Sequence, residues 1–334
     1  MKAVGYKKAG PISGPGVLEN IEVDIPVAQG RDLLVEVKAI SVNPVDTKIR
    51  NRVEPDLGGI KVLGWDVAGV VKSVGESVTL FKPGDEVWYA GAIDRPGANS
   101  EFHLVDERIV SQKPKSLSFE QAAALPLTSL TAWELIFQRM AIPLESEGNL
   151  LIVGGAGGVG SVMIQLAKKL TNLKVIATAS RPETIAWVSR LGADAVIDHR
   201  DPFSQQLKGF GMDSVEYLVS LTNTQMHLHQ YVDILAPQGK LGVIDDPQAL
   251  DIKPFKTKSI SVHWELMYTR SLFQTKDMIE QHNILTRVAD MVDNNEIIST
   301  FNCNLGKISA ENLSEAHKIL ESGTSIGKLV LSGF

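Results

Sequence analysis

Residues 150–170 have the sequence LLIVGGAGGVGSVMIQLAKKL, and this stretch decides the fold class of the chain. An apolar run typical of a buried strand leads into Gly155-x-Gly157-x-x-Gly160, and an amphipathic helix is predicted over residues 159–170. The first glycine permits a tight bend, the second lets the backbone approach a pyrophosphate, and the third allows close packing of helix on strand. The helix N-terminus would hold the diphosphate, and the flanking elements argue against a glycine-rich turn without a ligand. The predicted cofactor-binding residues are Gly155, Gly157, Gly158, Val159 and Gly160.

The residues after the next predicted strand bear on the choice of cofactor. Dinucleotide sites that prefer NAD place an acidic residue about 20 positions after the glycines, where it receives the adenine ribose 2′-OH. Here Ser180 stands 20 positions after Gly160, and Arg181 follows it. A hydroxyl and a guanidinium can bind a 2′-phosphate, so the sequence predicts NADPH. Alternatively, Arg181 is a solvated residue at a helix start, and His199, after the strand-like AVID, either flanks the phosphate or lies on the surface.

Two patterns of sequence divide the chain. Up to about residue 110, short β-branched runs separated by turn residues predict an all-β, barrel-like unit. From SFEQAAALP onward, where Ser118 is a predicted helix N-cap, strand-like and helical stretches alternate, which predicts a parallel sheet covered by helices. Helical stretches near residues 275–294 and 310–322 and a final strand-like run are expected to return to the first domain. The predicted class is α/β, with domains at 1–120, 121–268 and 269–334.

Composition excludes several classes of partner. The chain of 334 residues is 44% hydrophobic and 22% charged, as ordinary globular proteins are, and its net charge of −6 offers no broad basic field for nucleic acid. Cys303 is the single cysteine, which excludes an internal disulfide and a multi-cysteine metal cage and fits a reducing compartment. Neither an apolar signal core nor an apolar run of about 18 residues is present. We expect a cytoplasmic protein with a small-molecule substrate and without a nucleic-acid or membrane partner.

Several further stretches, together with the glycine-rich turn and the order of domains, resemble the medium-chain dehydrogenase/reductase superfamily. They are AISVNPVDTKIR (39–50), LGWDVAGVVKSVG (63–75), FKPGDEVW (81–88) and AAALPLTSLTAW (122–133). The resemblance covers almost the whole chain and points to the quinone oxidoreductase-like branch, especially the group often labelled zinc-type alcohol dehydrogenase-like proteins. It implies a GroES-like β-rich barrel domain, a Rossmann-type doubly wound parallel sheet, and a homodimer.

The zinc enzymes of this superfamily hold a catalytic metal with side chains from three matched places. Those places here carry Asn43, Trp65 and Leu127, none of which is a zinc ligand. The four-cysteine lobe that holds structural zinc is also missing between Trp88 and Glu101. We therefore predict a protein without a metal.

The resemblance also implies roles near the nicotinamide. Asn43, Asp46 and Lys48 would border the nicotinamide end of the cleft as catalytic residues; the alternative is a loop turned by Asn-Pro and Asp. Lys48 departs from relatives, which often carry a tyrosine there, and an ammonium could stabilise an oxyanion or orient the substrate. Thr128 resembles the residue that contacts the nicotinamide carboxamide. Lys328 resembles a residue that returns near the cofactor.

Aromatic residues suggest a flat substrate pocket. Its candidates are Trp65, Tyr89, Trp264 and also Trp133, although such large aromatics more often belong to cores or interfaces. His263 is either a proton donor or a structural residue.

These observations predict a zinc-independent, NADPH-dependent oxidoreductase that transfers hydride to a quinone or an α,β-unsaturated carbonyl. A conjugated acceptor spreads the developing charge, so it needs no metal to stabilise an isolated oxygen. Two alternatives stay open. One is a zinc-dependent alcohol dehydrogenase with ligands such as Asp66 and His263, and the other is a protein that binds NADPH without turnover.

Overall fold

The computed structural model describes residues 1–14 and 17–334. The strands in this part of the chain are β1 (Lys2–Tyr6), β2 (Glu19–Glu22), β3 (Asp32–Ser41), β4 (Lys61–Val62), β5 (Asp66–Val74), β6 (Glu86–Ala90), β7 (Phe102–Asp106), β8 (Val110–Gln112), β9 (Asn149–Val153), β10 (Lys174–Thr178), β11 (Ala195–Ile197), β12 (Val215–Ser220), β13 (Leu235–Val243), β14 (Ser261–Trp264), β15 (Phe301–Asn304) and β16 (Lys328–Ser332). The α-helices are α1 (Pro44–Arg52), α2 (Phe119–Ala123), α3 (Pro126–Trp133), α4 (Gly158–Leu170), α5 (Pro182–Arg190), α6 (Phe203–Gly209), α7 (Thr224–Ile234), α8 (Thr269–Leu272), α9 (Glu280–Asp293) and α10 (Ala310–Glu321).

The described residues form two compact units, and the first consists of residues 1–130 and 268–334. In this unit β1 pairs with β2 and β4, and a larger sheet runs in the order β15-β16-β3-β5-β6-β8, with β7 paired to β3. Its pairs are antiparallel except β15 with β16. β-branched residues such as Val35, Ile40 and Val67 are buried in this sheet, as strand propensity favours. The prediction of a GroES-like, β-rich domain is confirmed.

The second unit, residues 131–267, is built on a parallel sheet. The strand order among the described residues is β11-β10-β9-β12-β13-β14. Counted from β9 as the first strand, this order is 3-2-1-4-5-6, the Rossmann order. Leu150, Leu151 and Ile152 of the central strand β9 are fully buried, as expected for a strand covered by helices on both faces. The predicted Rossmann-type fold is confirmed.

Local signals predicted several element limits and missed others. The Ser118 hydroxyl accepts from the Gln121 N–H at 3.2 Å, and the Gln121 side chain accepts from the Ser118 N–H at 3.1 Å, which confirms the predicted helix start. The helix predicted from residue 275 begins at Glu280, because residues before it form hydrogen-bonded turns such as Met278 N–H to Thr275 O. A π-helical stretch, Glu134–Arg139, was not predicted. Among the described residues, none of the helices combines the length and apolar character of a membrane span.

Candidate functional site

The glycine turn, residues 154–160, connects β9 to α4 at the carboxyl end of the parallel sheet. Gly154 has a φ of +90°, so the bend expected at Gly155 falls one residue earlier. A Cβ atom on Gly160 would lie 2.5 Å from the Gly154 carbonyl oxygen, so glycine is required for α4 to pack against the turn. A Cβ on Gly157 would have the Gly154 oxygen, at 3.6 Å, as its neighbour within 4 Å. The backbone at Gly157 is therefore open to a pyrophosphate.

This turn lies where the strand order of the sheet reverses. β9 and β12 end side by side, since Val153 pairs with Ser220 and the Leu221 N–H donates to the Val153 carbonyl at 3.1 Å. Ligands of open α/β sheets bind outside the carboxyl ends of the strands at such a point. The N-terminus of α4 also begins there, and its first N–H groups cannot be paired within the helix. The geometry fits a dinucleotide.

The residues predicted to select the cofactor follow β10 and β11, whose last residues pair in register. Arg181 is the N-cap of α5, and its Nε lies 3.3 Å from the Glu183 carboxylate. His199 is half-buried one residue beyond Asp198. Sequence reasoning missed Arg200, which donates to the Ser180 carbonyl at 3.0 Å and pairs with Asp198. Two guanidinium groups thus stand near Ser180, although each has a carboxylate partner.

Asn43 and Asp46 begin α1 in the first unit, and both are buried. The Asp46 carboxyl accepts from the Asn43 N–H at 2.7 Å and from the Gly64 N–H at 3.1 Å. Burial raises the pKa of Asp46 to about 7, and the two N–H donors and the Lys328 ammonium only partly oppose this rise. Asp46 can therefore exchange a proton near neutral pH.

Asp66 and Lys328 complete a polar cluster with these two residues. One Asp66 oxygen accepts from the Asn43 side-chain amide at 3.1 Å and lies 3.2 Å from the Lys328 ammonium. The other accepts from the Leu127 N–H at 3.2 Å. Burial raises the pKa of Asp66 and lowers that of Lys328, whereas their mutual attraction opposes both shifts. We call Asn43, Asp46, Asp66 and Lys328 the polar cluster.

Three more residues were predicted to lie near the cofactor, and they differ in burial and in hydrogen-bond partners. Lys48 is half-buried on α1. Thr128 is buried in α3, and its hydroxyl donates to the Leu125 carbonyl at 3.0 Å. Lys328 was predicted to bind the cofactor, but its ammonium is directed at oxygens of Val42, Asn43 and Asp66. The structure thus assigns it a place in the polar cluster that sequence reasoning missed, because these residues are far apart in the chain.

The predicted pocket aromatics differ in burial and in their neighbours. Tyr89 is fully buried in the core, stacks on His103 and pairs with it through its hydroxyl at 3.0 Å. Trp65 is also fully buried, with its ring edge-to-face with Tyr268. Trp264 is 52% exposed on β14 of the second unit.

His263, also on β14, lies 2.9 Å from the Ser261 hydroxyl through its Nε2. Burial and the nearby Lys240 charge lower the pKa of His263. This favours the neutral form of the ring.

The chain matches two family models. One is described as Zinc-binding dehydrogenase and covers residues 158–282, and the other is the Alcohol dehydrogenase GroES-like domain over residues 29–115. A curated relative, a zinc-type alcohol dehydrogenase-like protein of Staphylococcus epidermidis, is 39% identical over 99% of both chains.

Solved structures of dehydrogenases and quinone oxidoreductases are also similar to this chain over almost its whole length. A presumed zinc-dependent alcohol dehydrogenase of Rhizobium etli is 52% identical, with a TM-score of 0.96 over 100% of this chain and 98% of its own. The quinone oxidoreductase of Escherichia coli, solved in complex with NADPH, is 25% identical, with a TM-score of 0.84 over 99% of this chain and 100% of its own.

The residues present do not fit the zinc that these names suggest. No three His, Cys, Asp or Glu side chains of the described residues gather where they could hold a metal. Of the three places matched to zinc ligands, Asn43 and Leu127 instead donate hydrogen bonds to Asp66, and Trp65 presents an indole. The glycine turn, in contrast, fits the nicotinamide cofactor that the family indicates. By sequence and fold, the chain belongs to the medium-chain dehydrogenase/reductase superfamily, in its quinone oxidoreductase-like branch, and is an oxidoreductase.

Proposed function

We propose that this protein is a zinc-independent, NADPH-dependent reductase of quinones or α,β-unsaturated carbonyls. The observation that carries the proposal is the polar cluster, where hydrogen bonds around Asp66 and Lys328 take the place of a metal-ligand set. Reduction of an isolated ketone needs strong stabilisation of charge on its oxygen, which zinc provides in metal enzymes. A conjugated acceptor spreads that charge, so hydrogen-bond donors suffice. When bound, the nicotinamide supplies the hydride.

Two buried donors of the first unit are suited to a substrate oxygen. The Trp65 indole N–H and the Tyr268 hydroxyl have no acceptor among the described residues, and the two ring centroids are 6.2 Å apart. Burial, with Asp46 and Asp66, raises the pKa of Tyr268 well above its ordinary value, so the phenol stays protonated. A buried donor without an acceptor costs about 1–3 kcal/mol, which a substrate carbonyl would recover. This supports Trp65 as a pocket residue and adds Tyr268.

Asp46 is the proposed source of the proton that completes the reduction. Its pKa of about 7 lets it hold a proton at neutral pH and release it to a more basic product. Asn43 fixes the Asp46 carboxyl through its N–H. Lys48, on the same helix, remains a candidate for orienting the substrate.

The preference for NADPH rests on the groups around Ser180. Arg181 and Arg200 place positive charge beside the ends of β10 and β11, and His199 lies next to Arg200. A 2′-phosphate would compete with Glu183 and Asp198 for these guanidinium groups, and charge-assisted bonds to a phosphate dianion favour that exchange. The Escherichia coli quinone oxidoreductase, solved in complex with NADPH, supports NADPH as a cofactor.

We also propose a cytoplasmic homodimer. β14 is an edge strand of the parallel sheet, and Trp264 at its end and Leu266 two residues beyond it are both 52% exposed. A second copy of the chain would cover them. The single cysteine is consistent with a reducing compartment.

A spectrophotometric panel tests the function. Oxidation of NADPH and of NADH is followed with a series of quinones, enals and enones, with and without a chelator. We expect turnover of at least one conjugated acceptor, faster with NADPH and unaffected by chelation. Tight NADPH binding with no turnover across the panel would instead support a binding protein without catalysis.

A further inference from the structure

The Lys328 ammonium is a buried cation held by protein oxygens. Its side chain is 3% exposed, and Nζ donates to the Val42 carbonyl at 2.9 Å and to the Asn43 side-chain oxygen. The Asp66 carboxylate lies 3.2 Å away and is fully buried. An ammonium has three N–H donors, so these three oxygens satisfy it.

The three oxygens converge from segments that meet only in the folded sheet. Val42 and Asn43 follow β3, Asp66 begins β5, and Lys328 begins β16. β3 lies between β5 and β16, which brings both partners to its end. The cation thus sits beside Asn43, one of the places matched to a zinc ligand.

Asp66 is bonded as completely as the ammonium. Its two oxygens receive the Lys328 ammonium, the Asn43 amide and the Leu127 N–H, with a longer contact of 3.4 Å from the Ser41 hydroxyl. Donors of this kind favour a charged carboxylate despite its burial. A buried ion pair with its remaining hydrogen bonds satisfied is stable, whereas one partner alone is costly.

We propose that the Lys328 ammonium is the resident cation of this site and takes the charge-compensating place that a metal has in the zinc enzymes of the family. Lys328 is a positioning residue: it fixes the Asn43 carboxamide and the Asp66 carboxylate. The inference rests on the zinc independence of the proposed function and names the group responsible for it. Removal of the ammonium therefore leaves a vacancy that a small organic cation fits.

The test is chemical rescue of the Lys328→Ala variant. This substitution removes three carbons and the nitrogen beyond Cβ, which together match propylammonium. Thermal unfolding is measured in propylammonium chloride and in sodium chloride of equal ionic strength. We expect the Tm of Lys328→Ala to fall by roughly 5–10 °C, because Asp66 loses its counter-ion. Propylammonium should restore about half of this loss in a saturable manner and leave the wild-type protein unchanged.

Matched variants separate charge compensation from a general effect of the amine. The double variant K328A/D66N lacks the Asp66 carboxylate that needs a counter-ion. Its Tm should therefore be higher than that of Lys328→Ala and should not change in propylammonium. Lys318→Ala removes an exposed lysine of α10 and should not respond either. Two results would overturn the inference. One is a folded Lys328→Ala variant whose Tm does not rise in propylammonium, and the other is a double variant whose Tm rises as much as that of Lys328→Ala.

Two further measurements keep the inference testable if Lys328→Ala does not fold. Lys328→Met fills the space of the lysine side chain without its charge. Adding Asp66→Asn to this variant should raise its Tm, because the uncompensated carboxylate is removed. An unchanged Tm would contradict the proposal. Zinc at one atom per wild-type chain, measured by inductively coupled plasma mass spectrometry, would also contradict it. None of these experiments measures enzyme activity. If propylammonium rescues the variant but the protein reduces no quinone or enone, this inference is supported and the proposed function is wrong.

Discussion

The glycine turn and the polar cluster are encoded in different ways. The turn occupies consecutive residues, and its strand, bend and helix are all local. The polar cluster joins Asn43 to Lys328 across 285 positions and exists because β3, β5 and β16 are neighbours in one sheet. The residues allowed in the glycine turn are limited by space, since a Cβ on Gly160 would clash with backbone atoms. Charge balance limits the polar cluster, since the buried Asp66 carboxylate and the buried Lys328 ammonium compensate each other.

The largest expected effect comes from filling the space at the glycine turn. Gly160→Ala places a Cβ 2.5 Å from the Gly154 oxygen and 2.6 Å from that of Gly155, so the turn must move away from α4. We expect a loss of about 3 kcal/mol in unfolding free energy and at least a tenfold weaker affinity for NADPH. Denaturant unfolding and fluorescence titration measure both.

Gly209→Ala is the matched control, because a Cβ there meets nothing within 4 Å. It should stay within about 0.5 kcal/mol of the wild-type protein. Wild-type cofactor affinity in Gly160→Ala would show that the turn does not hold the dinucleotide.

Charge at the polar cluster predicts a pH dependence. Burial raises the pKa of Asp46 from 3.8 to about 7, so its contribution to stability is fully present below about pH 4 and is lost as the pH rises toward 7. Asparagine does not titrate. Between pH 5 and pH 8 the wild-type protein should therefore lose roughly 2–3 kcal/mol of unfolding free energy relative to Asp46→Asn. The stability advantage of the wild-type protein over the variant, the gap between them, shrinks by that amount.

Denaturant unfolding at both pH values measures this gap. Asp56→Asn, at an exposed carboxyl group, controls for the loss of one charge. A gap that is constant or grows with pH would contradict the assignment of Asp46 as a buried, proton-holding group.

A smaller effect is expected where cofactor selectivity depends on exposed charge. Arg181→Ala should weaken NADPH binding about tenfold, or about 1.4 kcal/mol, and leave NADH affinity unchanged, because NADH has no 2′-phosphate. Parallel titrations with the two cofactors measure this ratio. Arg190→Ala, at the other end of α5, is the control. Equal losses for both cofactors would remove Arg181 from the selectivity argument.

The smallest effect tests a local signal outside both sites. Ser118→Ala removes the hydroxyl that accepts from the Gln121 N–H and should cost about 1 kcal/mol of stability. Ser118→Thr keeps the cap and should cost less, which a comparison of thermal midpoints checks. If both variants matched the wild-type protein, the capping box would contribute nothing.

Features within a few residues of one another could be predicted from the sequence, and features joined by the sheet could not. The order of strand, glycines and helix after residue 150 is local, as is the cap at Ser118. The Asp66–Lys328 pair and the approach of Arg200 to Ser180 depend on which strands become neighbours. Propensity also cannot distinguish a core aromatic such as Tyr89 from one that lines a pocket.

We propose that reduction by this protein needs no metal. The direct measurement is the zinc content of one preparation together with its rate of NADPH oxidation by a quinone or an enone, before and after chelation. We predict far less than one zinc per chain and the same rate before and after. One zinc per chain, with activity lost on its removal and regained on its return, would contradict the account.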